Sequence, residues 1–266
     1  MELLKFSKEN AKLENIKDYI SEHSFEYLTL KKQKFPNIAS FSLPSGYSCP
    51  FADECLSKAD RKTGKITDGK NTKFRCFSTS TESVYTNTRN QRWHNFDLLR
   101  KIKNVNDMAK LINDSLPTKA NIIRIHVGGD FFNARYFNAW VKVASMNKNT
   151  IFYAYTKSIK FWIDSLNGDG LRIPTNLILN ASRGGTQDHL IDEYNLKCAE
   201  VVFSEEQAEE LGLEIDHDES HAIIGTESFA LLIHGTQPKG TDAAQAKKNL
   251  ESKNIKHSYS RVKTIA

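Results

Sequence analysis

The sequence lacks any apolar run that approaches the roughly 18 residues needed for a membrane-spanning helix. Its first residues, MELLKFSKENAKLENIKDY, also lack the basic region and apolar core of a secretory signal. These absences predict a cytoplasmic protein that does not enter a membrane. Reducing conditions in the cytoplasm keep thiols from pairing, so a group of cysteines there indicates a metal or catalytic site rather than a disulfide framework.

Charge of one sign and the familiar catalytic motifs are also scarce. Lysine and arginine outnumber aspartate and glutamate by only 37 to 32, and a formal net charge of +5 falls short of a nucleic-acid-binding signature. The chain contains neither a GxGxxG fingerprint nor a Walker A loop. No Ser-His-Asp or Cys-His arrangement can be singled out, so we do not predict a hydrolase.

The composition is that of an ordinary globular protein, with 39% hydrophobic, 26% charged and 10% aromatic residues. Chains of 266 residues commonly fold as one α/β unit, and we predict a single domain spanning residues 1–266. We divide it into an N-terminal segment (1–38, with a helix near Asn10–His23 and a strand near Tyr27–Leu30), a metal-binding loop (41–77), an alternating α/β core (120–236) and a polar tail (239–266, with a surface helix).

Short apolar runs alternate with helical segments along the core. The predicted strands are Ile122–Val127, Ile151–Tyr155, Leu177–Leu179, Ala199–Phe203 and Phe229–Ile233. Helices are predicted before the core, at Thr86–Lys103 and Val105–Ser115, and within it, at Ala134–Ser145, Ile159–Leu166 and Glu205–Leu211. Buried strands that alternate with helices imply parallel pairing through right-handed crossovers, in either an open doubly wound sheet or a full or partial barrel.

Polar residues follow the predicted strands directly, in HVGGD, YTK and NASR. The carboxyl ends of parallel strands form one face, so these residues should converge there. His126 and Asp130 could act as acid, base or ligand, although Asp130 could instead cap a helix that begins near Phe132. Lys157 is a third catalytic candidate. Three further residues could line a pocket for a small anionic ligand: Tyr155, Ser182 and Arg183.

Three of the four cysteines, Cys49, Cys55 and Cys76, lie in a loop dominated by turn-forming residues. Their spacing matches neither the paired cysteines of structural zinc sites nor the ferredoxin runs. Three soft thiolates nevertheless favour an iron-sulfur cluster, with zinc as the alternative, over magnesium, calcium or manganese. The alternative without a metal is that they are small buried hydrophobic residues, which is the role we predict for Cys198.

Two further segments have both a functional and a structural interpretation. The run DHDESH, from Asp216 to His221, could bind a divalent metal, or His217 could supply a fourth cluster ligand, but it could equally be a solvated acidic loop. The run RNQRWHNF, from Arg89 to Phe96, could stack on bases and neutralise phosphates. The structural interpretation, a helix that buries its aromatic residues, is the one we prefer for this run.

The chain resembles the phage "gene product 88" proteins in a combination of segments: LPSGYSCPFADECLSKADRKTGKITDGKNTKFRC, RWHNFDLL, IRIHVGGDFFNARYFNAW, FYAYTKSIKFW, NASRGG, LGLEIDHDESHA and FALLIHGTQPKGTDAA. The resemblance implies a phage-encoded protein, working in the host cytoplasm, with a cluster on Cys49, Cys55 and Cys76. It implies no particular reaction.

An N-terminal cluster followed by alternating strands and helices is also similar to the partial barrels of radical S-adenosylmethionine enzymes. This fold-level likeness implies a partial, TIM-like barrel and a [4Fe-4S] cluster, with S-adenosylmethionine as a candidate cofactor. The CxxxCxxC motif of those enzymes is absent here, and that departure weighs against S-adenosylmethionine.

Three functions follow as hypotheses. The first is an iron-sulfur protein that performs redox or cluster-assisted chemistry on a small anionic substrate. The second is a non-enzymatic electron carrier, sensor or module that binds a host redox or regulatory protein. The third is a nucleic-acid-directed protein in which the cluster is structural.

Overall fold

The computed structural model describes residues 2–8, 16, 37–167 and 171–255. The helix predicted at Asn10–His23 and the strand predicted at Tyr27–Leu30 lie outside these residues, except for Ile16, which is buried. No helix among the described residues is both long and apolar enough to cross a membrane.

The described residues form ten strands and nine helices. The strands are β1 (Ser7–Lys8), β2 (Ile38–Phe41), β3 (Ser57–Ala59), β4 (Ile66–Asp68), β5 (Ile122–Ile125), β6 (Ile151–Thr156), β7 (Leu177–Ser182), β8 (Cys198–Val202), β9 (Glu214–Ile215) and β10 (Phe229–Leu232). The helices are α1 (Phe77–Val84), α2 (Thr86–Lys101), α3 (Val105–Ser115), α4 (Ala134–Met146), α5 (Ile159–Leu166), α6 (Asp188–Glu193), α7 (Glu205–Glu210), α8 (Ser220–Ile223) and α9 (Asp242–Ser252).

Eight of these strands form one sheet, in the order β1-β2-β5-β6-β7-β8-β10-β9. Every neighbouring pair in it is parallel except β1 and β2, which are antiparallel. The predicted α/β fold with a mainly parallel sheet is therefore confirmed. Strands β1 and β9 are the two edges of the sheet, which is not a closed barrel.

Local sequence explains where several helices begin. The side chain of Asn104 accepts a hydrogen bond from the Asp107 amide at the start of α3, and Asn133 does the same for Tyr136 at the start of α4. Such N-caps satisfy amides that have no partner within the helix. The proposed capping role of Asp130 is wrong, because Asn133 caps this helix and Asp130 bonds elsewhere.

The two faces of the sheet differ in what covers them. One face packs against α3 and α4, whose large buried side chains include Tyr136 and Trp140. On the other face, Tyr153 and Phe229 pack with Ala222 of the short helix α8. This second face also carries charge, because Arg124 on β5 forms a buried ion pair of 2.7 Å with Glu219.

Residues 41–77, which contain Cys49, Cys55 and Cys76, are called the cysteine-bearing loop below. Within this loop, strands β3 and β4 form a separate antiparallel hairpin. The hairpin packs against α1, where the Thr79 hydroxyl donates to the carbonyl oxygen of Ser57 at 3.0 Å. The loop predicted for residues 41–77 is thus ordered partly by its own hairpin and partly by contact with a helix.

Candidate functional site

The cysteine-bearing loop lies across the carboxyl ends of the parallel strands. The amide of Leu43 donates to the Gly128 carbonyl after β5 at 2.8 Å. The amides of Asp53 and Glu54 both donate to the Gly184 carbonyl after β7, at 3.2 and 3.0 Å. Backbone hydrogen bonds therefore hold Cys49 and Cys55 at the face that the strand-end motifs were predicted to form.

Glycines in the strand-end motifs allow this close approach. A Cβ atom on Gly129 would lie 2.5 Å from the Ser48 hydroxyl oxygen and 2.7 Å from the Leu43 Cβ, and Gly129 also has a φ of +89°. A Cβ atom on Gly235, after β10, would lie 2.8 Å from the Cβ of Phe77. No side chain fits at either position without moving the cysteine-bearing loop or the residue that follows Cys76.

Ser57 links two of the thiol-bearing residues. Its hydroxyl donates to the Cys55 carbonyl oxygen at 3.1 Å and accepts from the Cys76 amide at 3.2 Å. Cys76 is also the N-cap residue of α1, and its thiol makes no capping hydrogen bond. The sulfur of Cys49 accepts a hydrogen bond from the Gly46 amide at 3.3 Å.

The three thiols influence one another electrostatically. Burial raises the pKa of Cys49 well above its usual value, and the nearby charges of Asp130, Cys76 and Cys55 raise it further. Burial also raises the pKa of Cys55 to about 11, against the opposing influence of the Lys157 ammonium. The structure therefore brings Cys49, Cys55 and Cys76 into one neighbourhood with Asp130 and Lys157.

Asp130 joins the ends of β5 and β6. One carboxylate oxygen accepts from the Thr156 hydroxyl at 2.6 Å, and the other accepts from the Lys157 amide at 2.8 Å. Burial raises the pKa of Asp130 to about 6, although these hydrogen bonds favour the ionised form. Asp130 is therefore placed to hold the backbone of Lys157 in position.

Lys157 extends the same connection to β7. Its ammonium donates to the hydroxyl and carbonyl oxygens of Ser182, at 2.9 and 3.1 Å, and to the Arg183 carbonyl. These three acceptors match the three N–H donors of a lysine ammonium. Lys157 thus places a positive charge near Cys55 while its own donors are engaged.

Within the described ranges, no three or more His, Cys, Asp or Glu side chains are grouped so that they could hold a metal ion. The three thiols are free and half-buried. Cys198 lies apart from them, at the start of β8, in a hydrophobic cluster with Ile163 and Ala181. Its burial agrees with the core role predicted for it.

A family model described as "Gene product 88" matches residues 4–253. The chain belongs to the Gene product 88 family. Its relatives include the "Gene 88 protein" of Mycobacterium phage L5 and that of Mycobacterium phage D29, each 30% identical over 128 residues, which cover 44% of this chain and 47% of the relative. The chain therefore spans about half the length of the curated relatives it matches. No solved structure matches it.

The family membership and these relatives support a bacteriophage origin. The names of these relatives state no reaction, cofactor or partner.

Other predicted site residues lie around the thiols or apart from them. The hydroxyl of Tyr155 donates to Glu219 at 3.1 Å, on the α8 side of the sheet. Arg183 forms ion pairs with Asp192 and Glu200, and these pairs engage the guanidinium that was predicted to bind an anion. His217 is exposed in the loop between β9 and α8.

His126 contacts the helix layer. Its Nε2 lies 2.9 Å from the Tyr136 hydroxyl, and its ring packs edge-on against Phe131 at 4.7 Å between centroids. Burial lowers the pKa of His126 to about 3. A neutral imidazole held in this way packs α4 against β5.

Acidification from pH 6.5 to 5 is expected to reduce the free energy of unfolding by about 2 kcal/mol through His126. Its pKa is about 3 when folded and about 6.5 when unfolded. Between these pH values only the unfolded chain binds the proton. The contribution of His126 to the free energy of unfolding is therefore fully present above pH 6.5 and is lost as the pH falls. Urea unfolding at several pH values, with His126→Asn as comparison, measures this. Equal pH slopes in both proteins would refute the assignment.

Sequence reasoning missed two side chains that support the site. Gln237, after β10, accepts from the Arg75 amide at 2.8 Å and donates to the Arg75 carbonyl at 3.1 Å, immediately before Cys76. Ser57 was overlooked because a lone serine in a loop carries no pattern. Gln237 could have been found, since it lies in a polar run that follows a predicted strand.

The aromatic and basic run on α2 is built into the fold. Arg89 and Arg92 are buried, and Arg89 donates to the carbonyl oxygens of Glu82 and Arg61. Trp93 is only 7% exposed. These contacts agree with the structural interpretation of the run, because its guanidiniums and indole already have partners or are enclosed within the protein.

Proposed function

We propose that Cys49, Cys55 and Cys76 hold an iron-sulfur cluster, of the [4Fe-4S] type, and that this phage protein performs redox or cluster-assisted chemistry on a small anionic molecule. The observation that carries the proposal is the convergence of the three thiols. They lie on segments that hydrogen bonds tie to one another and to the ends of β5 and β7, and at least two of them have pKa values altered by the others.

The donor set suits such a cluster. Thiolates are soft ligands that select iron-sulfur clusters or zinc. Around one zinc ion, with bonds of about 2.3 Å, tetrahedral thiolates lie roughly 3.8 Å apart. A cluster of several irons spreads its ligands more widely. Zinc therefore remains the alternative occupant of these three thiols, and metal analysis distinguishes it from a cluster.

Three features of the surroundings favour thiolate ligands, against the burial and the Asp130 charge that raise the pKa values of Cys49 and Cys55. The Gly46 amide points at the Cys49 sulfur, and the Lys157 charge acts on Cys55. The N-terminus of α1, with its partial positive charge, lies at Cys76. When bound, the cluster would supply one-electron transfer or a Lewis-acidic iron, and its surrounding hydrogen bonds would tune its potential.

The strand order supports a partial barrel as part of the proposal. Strands β2, β5, β6, β7 and β8 are adjacent in chain order, without a reversal. Right-handed crossovers would then place the connecting helices on one face and leave the other face to curl inward around α8. Because radical S-adenosylmethionine enzymes have a partial barrel, the reaction proposed here could include the reductive cleavage of S-adenosylmethionine. Reductive cleavage of S-adenosylmethionine by the reduced protein would support it, and the absence of both binding and cleavage would exclude it.

A non-enzymatic electron carrier is the second candidate. It is favoured because Lys157, a predicted catalytic residue, and Arg183, predicted to bind an anion, both contact other residues of the same chain. Reversible redox cycling of the cluster with no bound small molecule would support a carrier. Turnover of any small anion would support the enzyme.

The test of the cluster is anaerobic reconstitution with iron and sulfide. We expect thiolate-to-iron absorption, with iron and sulfide bound in comparable amounts. Cys49→Ser, Cys55→Ser and Cys76→Ser should each lose most of both. The matched control is Cys198→Ser, whose sulfur already contacts the Ser228 hydroxyl at 3.4 Å and should tolerate the exchange.

Two outcomes would contradict the proposal. A colourless wild-type protein that binds one equivalent of zinc would replace the cluster with a zinc site. Iron and sulfide contents that stay unchanged in all three loop variants would remove these cysteines as ligands. Circular dichroism of each variant shows whether a loss of cluster accompanies a loss of fold.

A further inference from the structure

The segment 56–75, here called the basic hairpin segment, contains β3, β4 and the residues that lead to Cys76. It carries seven lysine or arginine residues and two aspartates, a net charge of +5 that equals the formal net charge of the whole chain. The rest of the chain is therefore neutral on balance. A local excess of this size produces a positive potential that attracts acidic partners.

The available charges in this segment are lysines. Arg61 pairs with Asp97 at 2.7 Å, and Arg75 pairs with Asp68. Its exposed lysines include Lys62, Lys65 and Lys70, none of which forms an ion pair with any described residue. The segment therefore presents compact, hydrated charges at its surface while its guanidiniums are engaged.

The basic hairpin segment is continuous with the thiols. Ser57, its second residue, bridges Cys55 and Cys76. A Cβ atom on Gly46, whose amide points at Cys49, would lie 2.6 Å from the Lys58 side chain. The basic hairpin segment therefore adjoins the candidate cluster site through Ser57 and Lys58.

We propose that the basic hairpin segment is the docking surface for an acidic one-electron donor protein that reduces the cluster. The proposal rests on the proposed function. One electron leaves the reduced donor, which is oxidised by one electron, and the cluster gains it. Electron tunnelling weakens steeply with distance, so a surface next to the thiols is where a donor would have to bind.

The chemistry favours an acidic protein over nucleic acid. Bidentate recognition of phosphate uses arginines, and base stacking uses exposed aromatic rings. Here both arginines of the segment are paired, and the neighbouring Trp93 is buried beneath Arg61. Unpaired lysines suit brief, salt-sensitive docking of a negatively charged surface.

The test measures the rate at which reduced flavodoxin, an acidic one-electron carrier, reduces the reconstituted protein. Lys62→Glu/Lys65→Glu should lower the second-order rate constant at low salt by at least about tenfold. Added salt should slow the wild type and narrow the difference. Photoreduced deazaflavin, a small reductant that needs no docking surface, should reduce both proteins equally.

The matched control is Lys119→Glu/Lys148→Glu. It changes the net charge by the same amount with exposed lysines that precede β5 and β6, at the opposite ends of the strands. It should keep the flavodoxin rate within about threefold of the wild type. An equal loss in both variants would overturn the proposal, because a general effect of net charge would explain it.

Other outcomes distinguish the two proposals. Absence of iron and sulfide after reconstitution overturns the proposed function and the docking role with it. A normal cluster that flavodoxin reduces at the wild-type rate in Lys62→Glu/Lys65→Glu overturns the docking surface alone. Salt-dependent binding of single-stranded DNA that this variant loses, with unchanged flavodoxin kinetics, would reassign the surface to nucleic acid.

Discussion

Gly129→Ala is expected to reduce the free energy of unfolding by about 2–5 kcal/mol. The new methyl group would meet the Ser48 hydroxyl oxygen and the Leu43 Cβ at less than 3 Å, in a backbone conformation with a φ of +89°. Strain and overpacking therefore act together. Urea unfolding of the wild type and the variant measures the loss.

Gly212→Ala is the matched control for this change. Gly212 also has a positive φ, +65°, but a Cβ atom there would meet nothing within 4 Å. Gly212→Ala should therefore reduce the free energy of unfolding by about 1–2 kcal/mol, which is the strain of a left-handed residue alone. Equal losses in the two variants would show that contact between Gly129 and the cysteine-bearing loop contributes nothing to stability.

Arg92→Met is expected to destabilise the protein by about 3–5 kcal/mol. Arg92 donates to the fully buried carboxylate of Glu82 at 2.6 Å, and the Ser45 amide donates to the same oxygen at 2.9 Å. Removal of the guanidinium leaves a buried negative charge with only neutral donors. Ser45 lies four residues before Cys49. The variant should therefore also loosen the cysteine-bearing loop.

A double-mutant cycle separates the ion pair from packing. Glu82→Gln/Arg92→Met should recover most of the loss, because it removes both charges. Lys110→Met, which breaks an exposed pair with Asp114, should cost less than about 0.5 kcal/mol. Failure of the double variant to recover stability would show that Arg92 acts mainly through its hydrogen bonds to Ser78 rather than through its pairing with Glu82.

Five of the eight strands in the sheet were predicted from the sequence because they are apolar runs rich in β-branched residues, whereas β1, β2 and β9 were not predicted. Even so, β7 continues to Ser182, three residues beyond the predicted end, since the polar NAS sequence still pairs with β6 and β8. Helix α1 was not predicted. Its sequence, FSTSTESV, is rich in residues that compete with the helix backbone for hydrogen bonds, and packing against the β3–β4 hairpin supports it instead.

The strand-end motifs could be predicted to meet, but their individual roles could not. Asp130 lies three residues before the N-cap of α4, a position that suggested capping, yet its carboxylate faces Thr156 on a neighbouring strand. His126 adopts a φ of +65°, which turns its ring toward Tyr136. Single backbone dihedrals and pairings between distant strands decide such details, and neither leaves a periodic signal.

The two hydrogen bonds between Gln237 and the Arg75 backbone join residues that are 162 positions apart in the chain. Contacts of such long range form late in folding, because loop closure has to precede them. During synthesis, Cys49, Cys55 and Cys76 leave the ribosome long before the segments that hold them in place. The nascent chain therefore exposes three thiols without their scaffold, and assembly of the site has to wait until translation passes β10.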